Sequence, residues 1–268
     1  MGKRRSFSEI SLLTYKISVM KLRICRFISD HLSSDKFAEI NTAIKLDNVI
    51  YKHKSLIRRK LGNVDMTLQE NKAINLSIAA PKVNGVIIKP GEVFSFWRLV
   101  GFCSEKKGYK RGLTIKGNAS SDGIGGGMCQ FTNLLHWLVL HSPLDIIERH
   151  HHNRFDLFPD FGRQVPFGCG TSIFYNYLDY RFKNNTGNEF QIFVTVDSEY
   201  LCGELRARYP LDKSYHIIER DNHFVCEEDG KYRINKVYRQ TVNKGTGNIL
   251  SEELIESSHA KVMYSNEN

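Results

Sequence analysis

The stretch Gly123-Ile124-Gly125-Gly126-Gly127-Met128-Cys129-Gln130, followed by Phe131-Thr132-Asn133-Leu134-Leu135-His136-Trp137-Leu138-Val139-Leu140, sets a cysteine behind consecutive glycines and ahead of an apolar run. Glycine tolerates backbone conformations closed to other residues, and the run has the length and composition of a buried helix. A helix is therefore predicted over Met128 to His141, with Pro143 beyond its end. The first turn of a helix has free N–H groups and the positive end of the dipole, both of which favour a thiolate. Cys129 is thus expected to ionise readily. Gly125, Gly126 and Gly127 are expected to let a substrate carbonyl approach the backbone amides as an oxyanion site.

Upstream, apolar residues Ile10, Leu13, Ile17, Met20, Ile24, Phe27 and Ile28 recur at spacings of three or four among basic residues, and a helical pattern is read from about Ser8 to Lys60. Such a segment either packs on the domain or lies on a membrane surface. A further helix is predicted over Leu68 to Ala80, ended by Pro81. Short strands follow: Gly85 to Ile88, a turn at Lys89 to Glu92, then Val93 to Trp97. Ile115 to Gly126 reads as loop. Strands are expected at Asp145 to His150, Thr171 to Tyr175, Leu178 to Phe182, Phe190 to Val196 and Leu201 to Ala207, with a turn at Asn184 to Asn188. Beyond Pro210, alternating runs suggest a small β appendage. The fold class is α+β, organised as a basic helical segment at 1–67, a β-rich core at 68–208 and a C-terminal β extension at 209–268.

The 268 residues carry a formal net charge of +9 and the apolar and charged fractions of a globular protein. Basic surfaces suit anionic partners, but neither zinc-finger spacing nor aromatic-basic interleaving is present, which argues against nucleic acid. Six scattered cysteines without CxxC pairs point to neither a disulfide framework nor a structural zinc motif. Lys16, Lys21, Arg23 and Arg26 break every apolar stretch that a signal peptide would need. The expectation is a cytoplasmic protein, at most peripheral to a membrane through its basic N-terminal helix.

In order and spacing, Pro90-Gly91-Glu92-Val93-Phe94-Ser95-Phe96, Gly125-Gly126-Gly127-Met128-Cys129-Gln130, Glu148-Arg149-His150-His151-His152 and Lys183-Asn184-Asn185-Thr186 resemble the VanW family. The resemblance spans roughly Leu68 to Arg208. It implies an accessory role in bacterial cell-wall metabolism or glycopeptide resistance, with a peptidoglycan stem peptide or precursor as partner. It also implies a cysteine of the kind linked with L,D-transpeptidation in some VanW-like domains. Cys129 falls on the family cysteine, His150 and His152 on its two histidines, and Asp179 on an acidic position. Where many members have Gly-Arg-Asp-Ala-Thr, this chain has Gly168-Cys169-Gly170-Thr171-Ser172, with no carboxylate.

Acyl transfer by a thiol needs the sulfur, a base and donors for the oxyanion. Cys129, His152 or His150, and the amides after Gly126 form that set. Asp179 is the candidate to orient the imidazole, and Arg149 to grip a substrate carboxylate through its planar fork. Gln130 either contacts substrate or caps loop carbonyls. No cofactor is required. Three other readings use the same residues: an inert buried cysteine, zinc held by Cys129, His150 and His152, and a binding or regulatory protein that performs no chemistry.

Overall fold

The computed structural model describes residues 6–59, 65–116, 119–151, 154–157, 159 and 164–264. In chain order the elements are α1 (Leu12–Leu32), β1 (Lys36–Phe37), β2 (Asn48–Leu56), α2 (Met66–Val83), β3 (Val86–Ile88), β4 (Glu92–Ser95), α3 (Phe96–Val100), β5 (Arg111–Lys116) and β6 (Ala119–Ile124). There follow α4 (Met128–Leu140), β7 (Asp145–Glu148), β8 (Phe155–Asp156), β9 (Arg181–Lys183), β10 (Phe190–Val196), β11 (Tyr200–Ala207), β12 (Lys213–Glu227), β13 (Gly230–Asn243) and β14 (Ile249–Val262). The α+β class expected from the sequence is the class observed.

One sheet has the order β2-β11-β10-β3 and carries α4 on its face. Along α4, Phe131, Leu135, Leu138 and Val139 are fully buried, as befits a helix that is apolar nearly all round. The helix comes close to the sheet because β11 has Gly203 beneath it. A β-carbon there would fall 2.9 Å from both Leu134 and Leu138. A second sheet, β1-β4-β9-β7, holds the His150 approach, and the third, β12-β13-β14-β8, forms the C-terminal part. The two parts share a small cluster of Trp137, Leu140, Cys169 and Val237.

Several elements differ from the sequence reading. The helical pattern read to Lys60 stops at Leu32, and Asn48–Leu56 is a strand paired antiparallel to β11. That stretch alternates in exposure because it is a sheet-edge strand, with lysines facing water. α2 runs past Pro81 to Val83, although the proline lacks the N–H that would bond the carbonyl four residues back. Strand Val93 to Trp97 ends at Ser95, whose hydroxyl caps α3 by accepting from the Arg98 amide. The loop expected at Ile115 to Gly126 is largely the β5–β6 hairpin, in register from Arg111 opposite Ile124 to Lys116 opposite Ala119. Thr171 to Tyr175 forms no strand; only an isolated bridge joins Phe174 to Leu178. The C-terminal extension is built from strands of 15, 14 and 14 residues, longer than the short runs its sequence suggests.

Candidate functional site

The three glycines ahead of α4 are required by close packing against the protein itself. Gly125 and Gly127 have φ of +76° and +99°, in the region that favours glycine. A β-carbon at Gly125 would lie 2.5 Å from Cys103 Cβ, one at Gly126 2.1 Å from the Gly112 carbonyl oxygen, and one at Gly127 2.2 Å from Lys72 Cγ. Asn75 pins the loop from α2: its amide group donates to the Gly126 and Lys110 carbonyls at 2.9 and 3.0 Å, and its oxygen accepts from the Lys110 amide at 2.7 Å. Because the atom facing Gly126 is backbone, Gly126→Ala is expected to cost about 3 kcal/mol through overpacking. Gly187→Ala, where nothing lies within 4 Å, should fall within about 0.5 kcal/mol of the parent. Urea denaturation of the two variants checks the contrast.

Cys129 is the second residue of α4, whose N-cap is Gly127. The residue as a whole is half-buried and packs against the main core. Desolvation pushes its thiol above the ordinary value, while the amides of Ile173 and of Cys129 itself act in the opposite direction. This corrects the expectation of a thiolate at rest: one amide at the head of α4, that of Cys129, does act on the sulfur together with that of Ile173 from outside the helix, but the loss of hydration outweighs them.

Behind Cys129, at helical spacings of three, four and seven, stand Thr132, Asn133 and His136. Thr132 and Asn133 make a polar seam between α4 and the segment 170–173. The Thr132 and Thr171 hydroxyls are 2.5 Å apart, and Asn133 Oδ1 accepts from the Thr171 amide at 2.7 Å and its hydroxyl at 2.9 Å. The His151 ring lies against Gly170, 3.1 Å from where a β-carbon would stand. His136 is fully buried, with Nδ1 3.3 Å from the Tyr180 hydroxyl; desolvation and then the charges of Arg149 and His151 hold its pKa well below normal.

The remaining predicted residues are held in other ways. β7 ends at Glu148, so His150 and His151 do not continue a strand. His150 Nε2 sits 2.9 Å from Glu148 Oε1, while the His150 carbonyl accepts from the Ser172 amide at 2.6 Å. Among the described residues, no imidazole is hydrogen-bonded to Asp179. It accepts from the Ser95 hydroxyl at 2.6 Å, the Trp97 and Tyr180 amides at 3.0 and 2.8 Å, and Arg181 Nε at 2.8 Å. The fork of Arg149 joins the Gly168 and Gly170 carbonyls to Glu256 on β14. Gln130 donates to the Ser55 hydroxyl at 2.9 Å and the Leu56 carbonyl at 2.8 Å, tying α4 to the end of β2. His152 lies outside the described residues. Among the described residues, no three His, Cys, Asp or Glu side chains form a metal-ligating group.

A further polar residue borders the glycine loop. Lys72 is buried, its stem filling the space over Gly127; desolvation, then Arg59 and Arg58, push its pKa down to about 7. One turn earlier Gln69 is fully buried, with neither end of its amide hydrogen-bonded. Gln69, Lys72, Asn75, Leu76 and Ala79 form the three-and-four stripe that marks the inward face of α2. That stripe, like the one from Cys129 to His136, was open to detection from spacing.

The fold and site together define an α+β protein with a cysteine at the head of a buried helix. Residues 71–206 match the family model described as VanW like protein, and the chain belongs to that family. It is 40% identical to vancomycin B-type resistance protein VanW of Enterococcus faecalis over 200 residues, covering 75% of this chain and 72% of the relative. It is also 28% identical over 173 residues to the uncharacterized protein YoaR of Bacillus subtilis, covering 63% of this chain and 54% of YoaR, about half that protein's length. No solved structure matches.

Proposed function

We propose that the protein is an accessory factor of bacterial cell-wall metabolism or glycopeptide resistance in which Cys129 transfers an acyl group from a peptidoglycan stem peptide or its precursor. The observation that carries this reading is the sulfur at the head of α4 with the amides of Ile173 and Cys129 bearing on it. The buried amide of Gln69, one turn along α2 from Lys72 and without a hydrogen-bond partner among the described residues, is a second polar group with binding capacity to spare.

A thiol that is neutral at rest must be deprotonated as it attacks. In the first step the Sγ–carbon bond forms while the thiol proton passes to an imidazole of the His150–His152 segment. The amide C–N bond then breaks, and the leaving amine departs with that proton. An acceptor amine or water cleaves the thioester and restores the thiol. A precursor on the cytoplasmic side is the substrate source consistent with the expected location.

The raised thiol pKa and the filling of the glycine cradle by the protein's own atoms favour a second reading, a binding module for the same stem peptides. Intact mass after incubation with a tetrapeptide stem separates the two. The expected result is an acyl adduct on Cys129 that is absent in Cys129→Ala. Stem binding that survives unchanged in Cys129→Ala, with no adduct in the parent, would establish the binding module instead.

A further inference from the structure

α1 is mounted with its polar side inward. Its 21 residues include none that is buried, yet three of them, spaced three and four apart, hold it to the domain. Arg23 Nε donates to the Tyr175 carbonyl at 3.2 Å, with its guanidinium over the Phe102 and Tyr175 rings. Arg26 makes a two-pronged bond to Glu148, both contacts 2.7 Å, and Asp30 accepts the fork of Arg181 at 2.7 Å twice. The opposite face is apolar and open: Leu13 is 67% exposed, Met20 58%, Ile24 51% and Phe27 58%, with Ile17 and Ile28 exposed beside them. This inverts the usual arrangement of a surface helix, whose apolar stripe faces the core.

Charge identifies what covers that face. Lys16 and Lys21 are exposed at its margins, and α1 has no acidic residue before Asp30, whose carboxylate Arg181 occupies. Two copies meeting through this stripe would bring lysines together without acids to answer them. An anionic lipid surface supplies both an apolar layer for the stripe and negative headgroups for the lysines. No helix among the described residues is long and apolar enough to cross a membrane, so the face suits contact in the plane of the interface.

We propose that α1 seats the domain on an anionic bilayer through Leu13, Ile17, Met20, Ile24, Phe27 and Ile28. This inference does not depend on the chemistry of Cys129. Because Glu148 holds both Arg26 and His150, docking through α1 also fixes the candidate site relative to the bilayer.

Co-sedimentation of the full chain with phosphatidylcholine vesicles, with and without phosphatidylglycerol, tests it. The expected result is pelleting with the phosphatidylglycerol vesicles, little with phosphatidylcholine alone, and weakening as salt rises. Ile17→Glu with Ile24→Glu should weaken binding more than about 10-fold, and Lys16→Gln with Lys21→Gln roughly 10-fold. None of these side chains is buried, so circular dichroism should be unchanged. Failure to pellet, or pelleting indifferent to both double variants, would overturn the proposal. So would a dimer in light scattering that Ile17→Glu with Ile24→Glu dissolves while no vesicles are bound.

Discussion

Asp179→Ala is expected to destabilise the fold by about 3–5 kcal/mol, the cost of breaking a buried charge pair from one side. The carboxylate is 1% exposed and has four donors, so its removal orphans the Ser95 hydroxyl, two backbone amides and one edge of Arg181 together. Arg181 keeps Asp30 and has Glu148 at 3.6 Å, which places the loss toward the lower end of that range. For a domain of this size the midpoint of thermal unfolding should fall by roughly 10 °C. A residue that merely oriented a catalytic imidazole would behave differently: its loss would leave a folded protein with its acyl adduct missing. Calorimetry on Asp179→Ala distinguishes the cases, and a melting temperature within about 2 °C of the parent would count against the structural role.

Asp179 also illustrates what could be read in advance. Its acidity was visible in the sequence; its partner was not. Arg181 lies two residues away, and Asp30, the other partner of that arginine, lies on a helix 151 positions before it. α4, β10 and β11 were legible because their apolar periodicity coincides with burial, and the Gly-Gly-Gly-Met-Cys-Gln motif was specific enough to indicate the family. The β5–β6 hairpin was not, because Ser120-Ser121-Asp122-Gly123 has no apolar alternation; pairing there is carried by backbone hydrogen bonds and the Arg111–Asp122 ion pair. The glycines announced close approach without revealing that Cys103, Gly112 and Lys72 do the approaching. The thiol failed as a predicted thiolate for a related reason: helix position is local, whereas desolvation depends on everything packed around it.

The same competition between burial and charge sets how stability depends on pH. His141 is stacked on Tyr51 at 3.7 Å, with Nδ1 2.8 Å from the Trp137 carbonyl oxygen. Desolvation brings its pKa down to about 4 from an ordinary 6.5, and the charges of His216 and His53 act in the same direction against the raising effect of that carbonyl. His136, more deeply buried, is likewise held well below its ordinary value by desolvation. Between pH 6.5 and 4 the unfolded chain therefore takes up protons that the folded chain refuses. Stability is fully present above pH 6.5 and falls with pH across that window. At ~1.4 kcal/mol per pKa unit, His141 alone accounts for a loss of about 3 kcal/mol by pH 4, with His136 adding to it. The carboxylates with lowered pKa, such as Glu148 and Glu204, weaken the fold only near and below their ordinary value of 4.5, so the upper part of the window belongs to histidine. His141→Phe keeps a ring against Tyr51 and removes the proton site. Urea denaturation from pH 7.5 down to pH 4.5 should show the variant losing about 2 kcal/mol less than the parent. Equal losses in the two proteins would mean that His141 takes up its proton as readily folded as unfolded.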